Sequence, residues 1–306
     1  MNYTQFREEM RERIRHALND EQKVELVKVE KNNGIVLYGI TIKKPGCNCV
    51  PTVYLEKFYE DYLKDHSWED ILHEFLEIYE EHQLEKIPNL DFFTDYKQIK
   101  ERLSVMLIHY GKNKNRLGMV PYKRFLDLAQ VVYCKIPEMG NENTNAIVLI
   151  TNEHFKTWNV SKEKLFRDAM RNAQSMMPCH IRSMSRILQE QMPFSGDDYE
   201  MELTGEIRKQ SDAMLVVSNQ QSFYGAVCIL YDDVLQHIAD ENKTDYYILP
   251  SSVHETILVP VWIGDDINGM KSMVKEINRT QVEVEEVLSD EIYYFDRLSG
   301  KILPVQ

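Results

Sequence analysis

Reactive side chains gather most densely at Leu249-Pro250-Ser251-Ser252-Val253-His254-Glu255, where two hydroxyls, an imidazole and a carboxylate follow an apolar run. Serine becomes a nucleophile when a base lies within hydrogen-bond reach and a third group orients that base. Ser251, Ser252, His254 and Glu255 are therefore the candidate catalytic residues. Two features count against them. Adjacent side chains on a strand point to opposite faces, which separates His254 from Glu255, and the segment lacks the Gly-x-Ser-x-Gly elbow that presents a hydrolase nucleophile. The simpler expectation has Pro250, Ser251 and Ser252 opening a turn, with His254 bonded to the backbone.

Weaker constellations lie elsewhere. Cys47-Asn48-Cys49 is a thiol pair at a turn, but zinc sites mostly use four ligands and no second Cys or His pair completes this one. Asp70, His73, Glu74 and Glu77 fall at i, i+3, i+4 and i+7, on one side of a helix; without a facing helix that carries Glu-x-x-His they read as a solvated acidic face. Neither Gly-x-x-x-x-Gly-Lys-Ser/Thr nor Gly-x-Gly-x-x-Gly occurs among the twelve glycines. No cofactor and no metal is expected.

The elements that position these groups follow from apolar spacing. Phe6, Met10, Ile14 and Leu18 predict a first helix with Thr4 as its cap and Asn19-Asp20 as its turn. Val24 to Val29 and Ile35 to Ile42 predict a hairpin through Lys31-Asn32-Asn33-Gly34. A short helix is expected over Tyr54 to Leu63, then a longer one capped by Ser67 and closed by Pro88, with Ile71, Phe75 and Ile78 inward. Arg102 to Tyr110 and Phe125 to Ile136 read as strands joined by a polar link, Gly111 to Arg116.

From Ala146 strand and helix alternate. Expected are a strand at Ala146 to Ile150, a helix at Lys162 to Met176 capped by Ser161, and a helical stretch from Pro178 to Leu188. A turn at Phe194 to Asp198, strand Ala213 to Val217, helix Tyr224 to Asn242, and strands Tyr246 to Leu249 and Thr256 to Trp262 follow, then helix Met270 to Ile277 and strand Ile292 to Phe295. The polar seam Pro137 to Asn143 suggests two domains, an N-terminal α+β domain over 1–140 and a C-terminal α/β-like domain with a mixed sheet over 141–306. The fold class expected is α+β.

Composition narrows the partners. Hydrophobic residues at 43% and charged residues at 28% match a folding, soluble chain of 306 residues. A net charge of −13 opposes nucleic acid, with only Lys112 to Arg124 locally basic, and no apolar run is long enough to cross a membrane. Five scattered cysteines and a polar N-terminus fit a reduced cytoplasm.

The stretch Asn152 to Leu165, Asn-Glu-His-Phe-Lys-Thr-Trp-Asn-Val-Ser-Lys-Glu-Lys-Leu, followed by Ala169 and Asn172, resembles a domain-of-unknown-function family of Gram-positive, largely gut-dwelling bacteria. Tyr247 to Glu255 and Phe125 to Ala129 are similar to the same family, and a more distant similarity is to the YtpQ-like family. The likeness in element order runs from the first helix to Gly300-Lys301-Ile302-Leu303-Pro304. It implies a cytoplasmic bacterial protein and brings no activity, cofactor or catalytic residue. In the YtpQ-like pattern a His sits nearer the Pro than His254 does, so the two are not equated.

These readings favour a non-enzymatic binding or protein-interaction module whose partner is another protein or a small molecule, because no complete catalytic constellation assembles. The alternative is a small-molecule enzyme, a hydrolase using Pro250 to Glu255. A third reading, a subunit of a larger assembly, requires a large apolar surface patch.

Overall fold

Helix α1 (Tyr3–Ala17) buries Phe6, Met10 and Ile14, the stripe its spacing predicts. Its cap is Asn2 rather than Thr4: Asn2 and Gln5 exchange side chain to backbone hydrogen bonds, and Thr4, inside the first turn, accepts from Arg7 instead. Strands β1 (Lys23–Glu30), β2 (Val36–Lys43) and β3 (Thr52–Tyr54) form an antiparallel meander. The β1–β2 turn holds Asn33 and Gly34 at φ of 59° and 71°, the left-handed pair an Asn-Gly hairpin supplies. Helices α2 (Glu56–Leu63) and α3 (Trp68–Glu81) complete this unit, and the Ser67 hydroxyl accepts from the Asp70 amide as a cap. Ile71, Phe75 and Tyr79 of α3 join Phe6, Met10, Ile40, Ile42 and Phe58 in its core.

The computed structural model describes residues 1–18, 21–45, 50–82, 91–136, 146–191, 212–264 and 266–305. Asn19-Asp20, Cys47-Asn48-Cys49, Pro88, the seam at 137–143 and the turn at 194–198 lie outside them. The two compact units are Met1–Leu90 and Asp91–Gln306. Strands on either side of the 137–143 seam pair with each other inside the second unit, as described next.

After the short helix α4 (Tyr96–Ile99), strand β4 (Leu103–His109) runs through the core. The link expected at Gly111 to Arg116 runs into helix α5 (Lys114–Met119), and the single strand expected from Phe125 to Ile136 is broken: β5 (Tyr122–Phe125) turns through Leu126 at φ 53° into β6 (Leu128–Lys135). β6 pairs with β4 along one edge and with β5 and then β7 (Ile147–Leu149) along the other. Helices α6 (Asn152–Thr157) and α7 (Lys162–Met176) follow; Ser161 caps α7, and Leu165, Ala169 and Ala173 face the core.

Pro178 opens a strand, β8 (Cys179–Ser183), before helix α8 (Met184–Gln191). The expected helix there is displaced because 179–183 pairs residue for residue with β9 (Leu215–Asn219). The helix expected from Tyr224 is cut in two, a 3-10 segment Gly225–Leu230 and α9 (Val234–Asn242), because Tyr224 and Asp233 take φ of 51° and 62°. Then come β10 (Tyr246–Leu249), β11 (Thr256–Pro260), α10 (Ile267–Thr280), β12 (Tyr293–Asp296) and β13 (Lys301–Pro304).

The sheet order is β13-β12-β10-β11-β9-β8, and every pairing in it is antiparallel. The protein is α+β as expected, and strand insertion replaces the expected mixed sheet. β9 and β10, joined through α9, run in the same direction with β11 between them; β11 and β12, joined through α10, are likewise separated by β10. Alternating strand and helix therefore yields split β-α-β units and an antiparallel ladder. Side chains alternate across it: Ile248 and Leu258 enter the main core, while Leu249 and Val259 meet Val274 of α10 on the other face.

Candidate functional site

Residues 250–255 link β10 to β11 and are zipped by backbone hydrogen bonds to the stretch before β12. The amides of Ser289 and Leu288 donate to the carbonyls of Pro250 and Ser251 at 2.9 and 2.8 Å, and the Val253 amide donates to Glu286 at 2.9 Å. Ser251 and Ser252 are half-buried. The Ser252 hydroxyl accepts from the His254 backbone amide at 3.0 Å, a local turn bond. Close approach of the chain on the other side needs Gly225: a Cβ there would lie 2.6 Å from both the Asn219 nitrogen and the His254 carbonyl and would overlap the Ser218 hydroxyl.

The imidazole finds its partners far away in sequence. Tyr224 donates its backbone N–H to His254 Nδ1 at 3.2 Å, and His254 Nε2 lies 3.3 Å from Glu286 Oε1. An Nδ1 that accepts places the ring proton on Nε2, aimed at the Glu286 carboxylate. The Tyr224 ring stacks on the imidazole at 11° and 5.5 Å. The candidates are thus neighbours in space, but hydroxyl, imidazole and carboxylate are not chained. Ser252 contacts the His254 main chain, the ring contacts Tyr224 and Glu286, and the half-buried Glu255 side chain is not among the ring's hydrogen-bond partners.

A second region has unused capacity. On α7, Arg167, Met170, Arg171 and Gln174 sit at i, i+3, i+4 and i+7 and share one face. That face, with Lys123 of β5 and Gln130 of β6, cross-strand partners, borders a cleft of about 570 Å³. Phe166, Met170 and Leu230 give it apolar surface, and the Lys123 ammonium lies 4.9 Å from the Phe166 ring centroid. Among the described residues Lys123 and Arg167 have no carboxylate within ion-pair distance, and Arg171 reaches Asp168 only at 3.8 Å. The Gln174 Nε2 is buried and has no hydrogen-bond partner among the described residues. Asp232 is the acidic member of the lining.

Asp168 separates this face from its neighbour. It accepts from Tyr96 at 2.9 Å and from Lys164 at 2.7 Å. Burial raises its carboxyl, and these two hydrogen bonds together with the nearby cations overcome that and hold it below the usual carboxylate range. On the far side a cleft of about 610 Å³ contains Tyr96, Trp158, Lys97, Lys100 and Lys164, but Lys164 is paired with Asp168 and Lys100 with Glu101. The cleft at Arg167 and Arg171 therefore holds the less compensated positive charge.

The chain matches a family of unknown function, DUF5688, over residues 3–297. It belongs to that family. No curated protein and no solved structure matches it. The DUF5688 match spans both compact units, so the His254 segment and the α7 cleft are both family territory.

Sequence reasoning found neither Glu286 nor Tyr224, which lie 32 and 30 residues from His254. The α7 face carried a readable signal, since two arginines and a glutamine share a helical side opposite Leu165, Ala169 and Ala173. On the acidic face of α3, Glu74 pairs with Lys57 and His73 lies 3.5 Å from Glu77. Among the described residues no group of three or more His, Cys, Asp or Glu side chains could hold a metal ion, and no helix is long and apolar enough to cross a membrane.

Proposed function

We propose that this DUF5688 chain is a non-enzymatic binding module of the bacterial cytoplasm, and that its second unit takes a small organic anion in the α7 cleft. The observation that carries the proposal is the buried Gln174 Nε2 without an acceptor, set beside Arg167 and Arg171. A buried donor left unpaired costs about 1–3 kcal/mol, and an anionic oxygen is the acceptor two guanidiniums and an ammonium would bring there. Phe166, Met170 and Leu230 fit an apolar body attached to that anion. The volume lies within the roughly 300–1,000 Å³ of small-molecule sites, which favours a small molecule over a protein partner. A cytoplasmic setting is supported by Cys134, Cys179 and Cys228 standing as free thiols. The Gram-positive, gut-bacterial origin and the YtpQ-like kinship rest on the resemblance of residues 152–165 and the motifs quoted with it.

Calorimetric titration of the full chain tests this, with phenyl phosphate, benzoate and a linear dicarboxylate as probes and a short oligonucleotide as the control. Saturable binding of at least one small anion is expected, falling about tenfold or more in Arg167→Ala and again in Arg171→Ala, as the loss of charged hydrogen bonds implies. Absence of saturation with every probe, or wild-type affinity retained in both variants, would sink the reading.

The alternative, a hydrolase at Pro250 to Glu255, draws on the His254–Glu286 pair, an imidazole already oriented by a carboxylate. It requires Ser251 or Ser252 to reach a ring nitrogen, and both nitrogens have other partners. Ester hydrolysis that vanishes in His254→Ala would favour it over the binding module.

A further inference from the structure

The α7 cleft has an acidic group that a plain anion leaves unused. Asp232 follows the 3-10 segment Gly225–Leu230 and borders the same cleft as Lys123 and Arg167. The turn that carries it is fixed on both sides. Tyr231 is buried, with its amide donating to the Cys228 carbonyl at 3.1 Å and its hydroxyl to the Met177 carbonyl, just past α7, at 3.3 Å. The Asp233 carbonyl accepts from the His237 amide at 2.8 Å as α9 opens. The Asp232 carboxylate itself is exposed and, among the described residues, has no hydrogen-bond or ion-pair partner. Opposite charges therefore line one cleft of about 570 Å³ without meeting, since Asp232 lies outside ion-pair distance of Lys123, Arg167 and Arg171. Asp168 engages Arg171 at 3.8 Å, which leaves two uncompensated cations, Lys123 and Arg167, and one uncompensated carboxylate.

We infer that the cleft takes a dicarboxylic α-amino acid, with its two carboxylates toward Lys123 and Arg167 and its ammonium toward Asp232, a narrowing of the small-anion reading above, on which it rests. Two anionic groups and one cationic group are the complement of the charges the lining leaves open. A carboxylate oxygen is also the acceptor that the buried Gln174 Nε2 lacks. The side-chain amide of Gln130, cross-strand to Lys123, has no partner among the described residues and adds a second neutral donor and acceptor for the same polar groups. The aliphatic spacer between the carboxylates rests on the apolar surface of Met170 and Leu230. A dicarboxylate without the amine meets Asp232 only as a like charge, and an amine without a carboxylate meets Lys123 and Arg167 in the same way. Selectivity for the amino acid therefore comes from both signs of charge at once.

Calorimetric titration of the full chain with two matched pairs, L-glutamate against glutarate and L-2-aminoadipate against adipate, isolates the ammonium, because the members of each pair differ by that group alone. In at least one pair the amino acid is expected to bind about fivefold more tightly than its parent dicarboxylate, the scale of an exposed ion pair. Acetylation of the amine, which removes its charge, is expected to abolish the preference in the wild-type protein. Asp232→Asn is expected to abolish it too, with the parent dicarboxylate bound as tightly as by the wild type or more tightly. A parent that binds as well as its amino acid, or a preference that survives in Asp232→Asn, would overturn the inference and leave the small-anion reading standing. Both pairs failing to bind while benzoate or phenyl phosphate saturates would do the same. Only the failure of every probe would take the small-anion reading with it.

Discussion

The segment before β11 and the polar face of α7 both concentrate reactive side chains, yet they differ in what those side chains are doing. Around His254 the groups that meet at the ring and its main chain have internal partners: Nδ1 has the Tyr224 amide, Nε2 faces Glu286, the Ser252 hydroxyl has the His254 amide and the His254 carbonyl has the Ser218 hydroxyl. On α7 the Gln174 donor and the Arg167 and Lys123 cations lack such partners among the described residues. Satisfied groups organise a fold and unsatisfied ones are available to a ligand. The arrangement of His254 recurs, which supports its reading as architecture. His109 Nδ1 accepts from the Lys112 amide at 3.0 Å with Nε2 toward Asp127, and His154 Nδ1 accepts from the Thr151 amide at 3.2 Å in a helix cap.

The contrast breaks most easily at Asp127, a further satisfied node. Its carboxylate accepts from the Ser289 and Tyr293 hydroxyls and so fastens the β5–β6 turn to the start of β12. Asp127→Ala leaves both buried hydroxyls without that acceptor, at roughly 1–3 kcal/mol each. Urea denaturation is expected to show a loss of about 3 kcal/mol; a loss under about 1 kcal/mol would mean that satisfaction is a poor guide to structural weight here. His254→Ala follows, with a loss of about 1–2 kcal/mol from the orphaned Tyr224 amide and the lost ring stack. Anion binding is expected to be unchanged in that variant. Reduced affinity without reduced stability would move the site to residues 250–255.

Gln174→Leu sharpens the other half. Removing an unpaired donor is expected to leave stability unchanged or to raise it by up to about 1 kcal/mol, while anion affinity falls about three- to tenfold. A destabilised variant with intact affinity would make Gln174 an ordinary structural amide.

Local signals were legible wherever local physics decides. Asn33-Gly34 set the hairpin, Ser67 and Ser161 capped their helices, and the apolar repeats in α1, α3 and α7 marked the buried faces. What escaped was decided by distant pairing. Residues 179–183 carry no strong strand pattern until β9 lies beside them, and the break at Tyr224 places a non-glycine residue at positive φ, which composition does not announce. The insertion of β11 between β9 and β10 is equally invisible along the chain. So were the partners of His254: the four candidate residues could be named, but whether they act depends on Tyr224 and Glu286, brought in by β9 and by the loop before β12.

The smallest effect expected is a pH slope from His109, the partly buried counterpart of His254. Burial lowers the affinity of its ring for a proton, and the neighbouring Asp127 only partly offsets this. A second constraint acts in the same direction, since Nδ1 accepts the Lys112 amide and cannot keep that bond once protonated. The folded chain therefore binds this proton less readily than the unfolded chain, whose imidazole titrates near 6.5. Stability from this group is fully present above that value and is lost as pH falls through it toward the lower folded value. Urea midpoints between pH 7.5 and 5.5 are expected to fall more steeply in the wild type than in His109→Gln, where the other histidines contribute equally to both proteins. Parallel curves would show that the Asp127 carboxylate compensates the buried charge, and the node would then tolerate protonation.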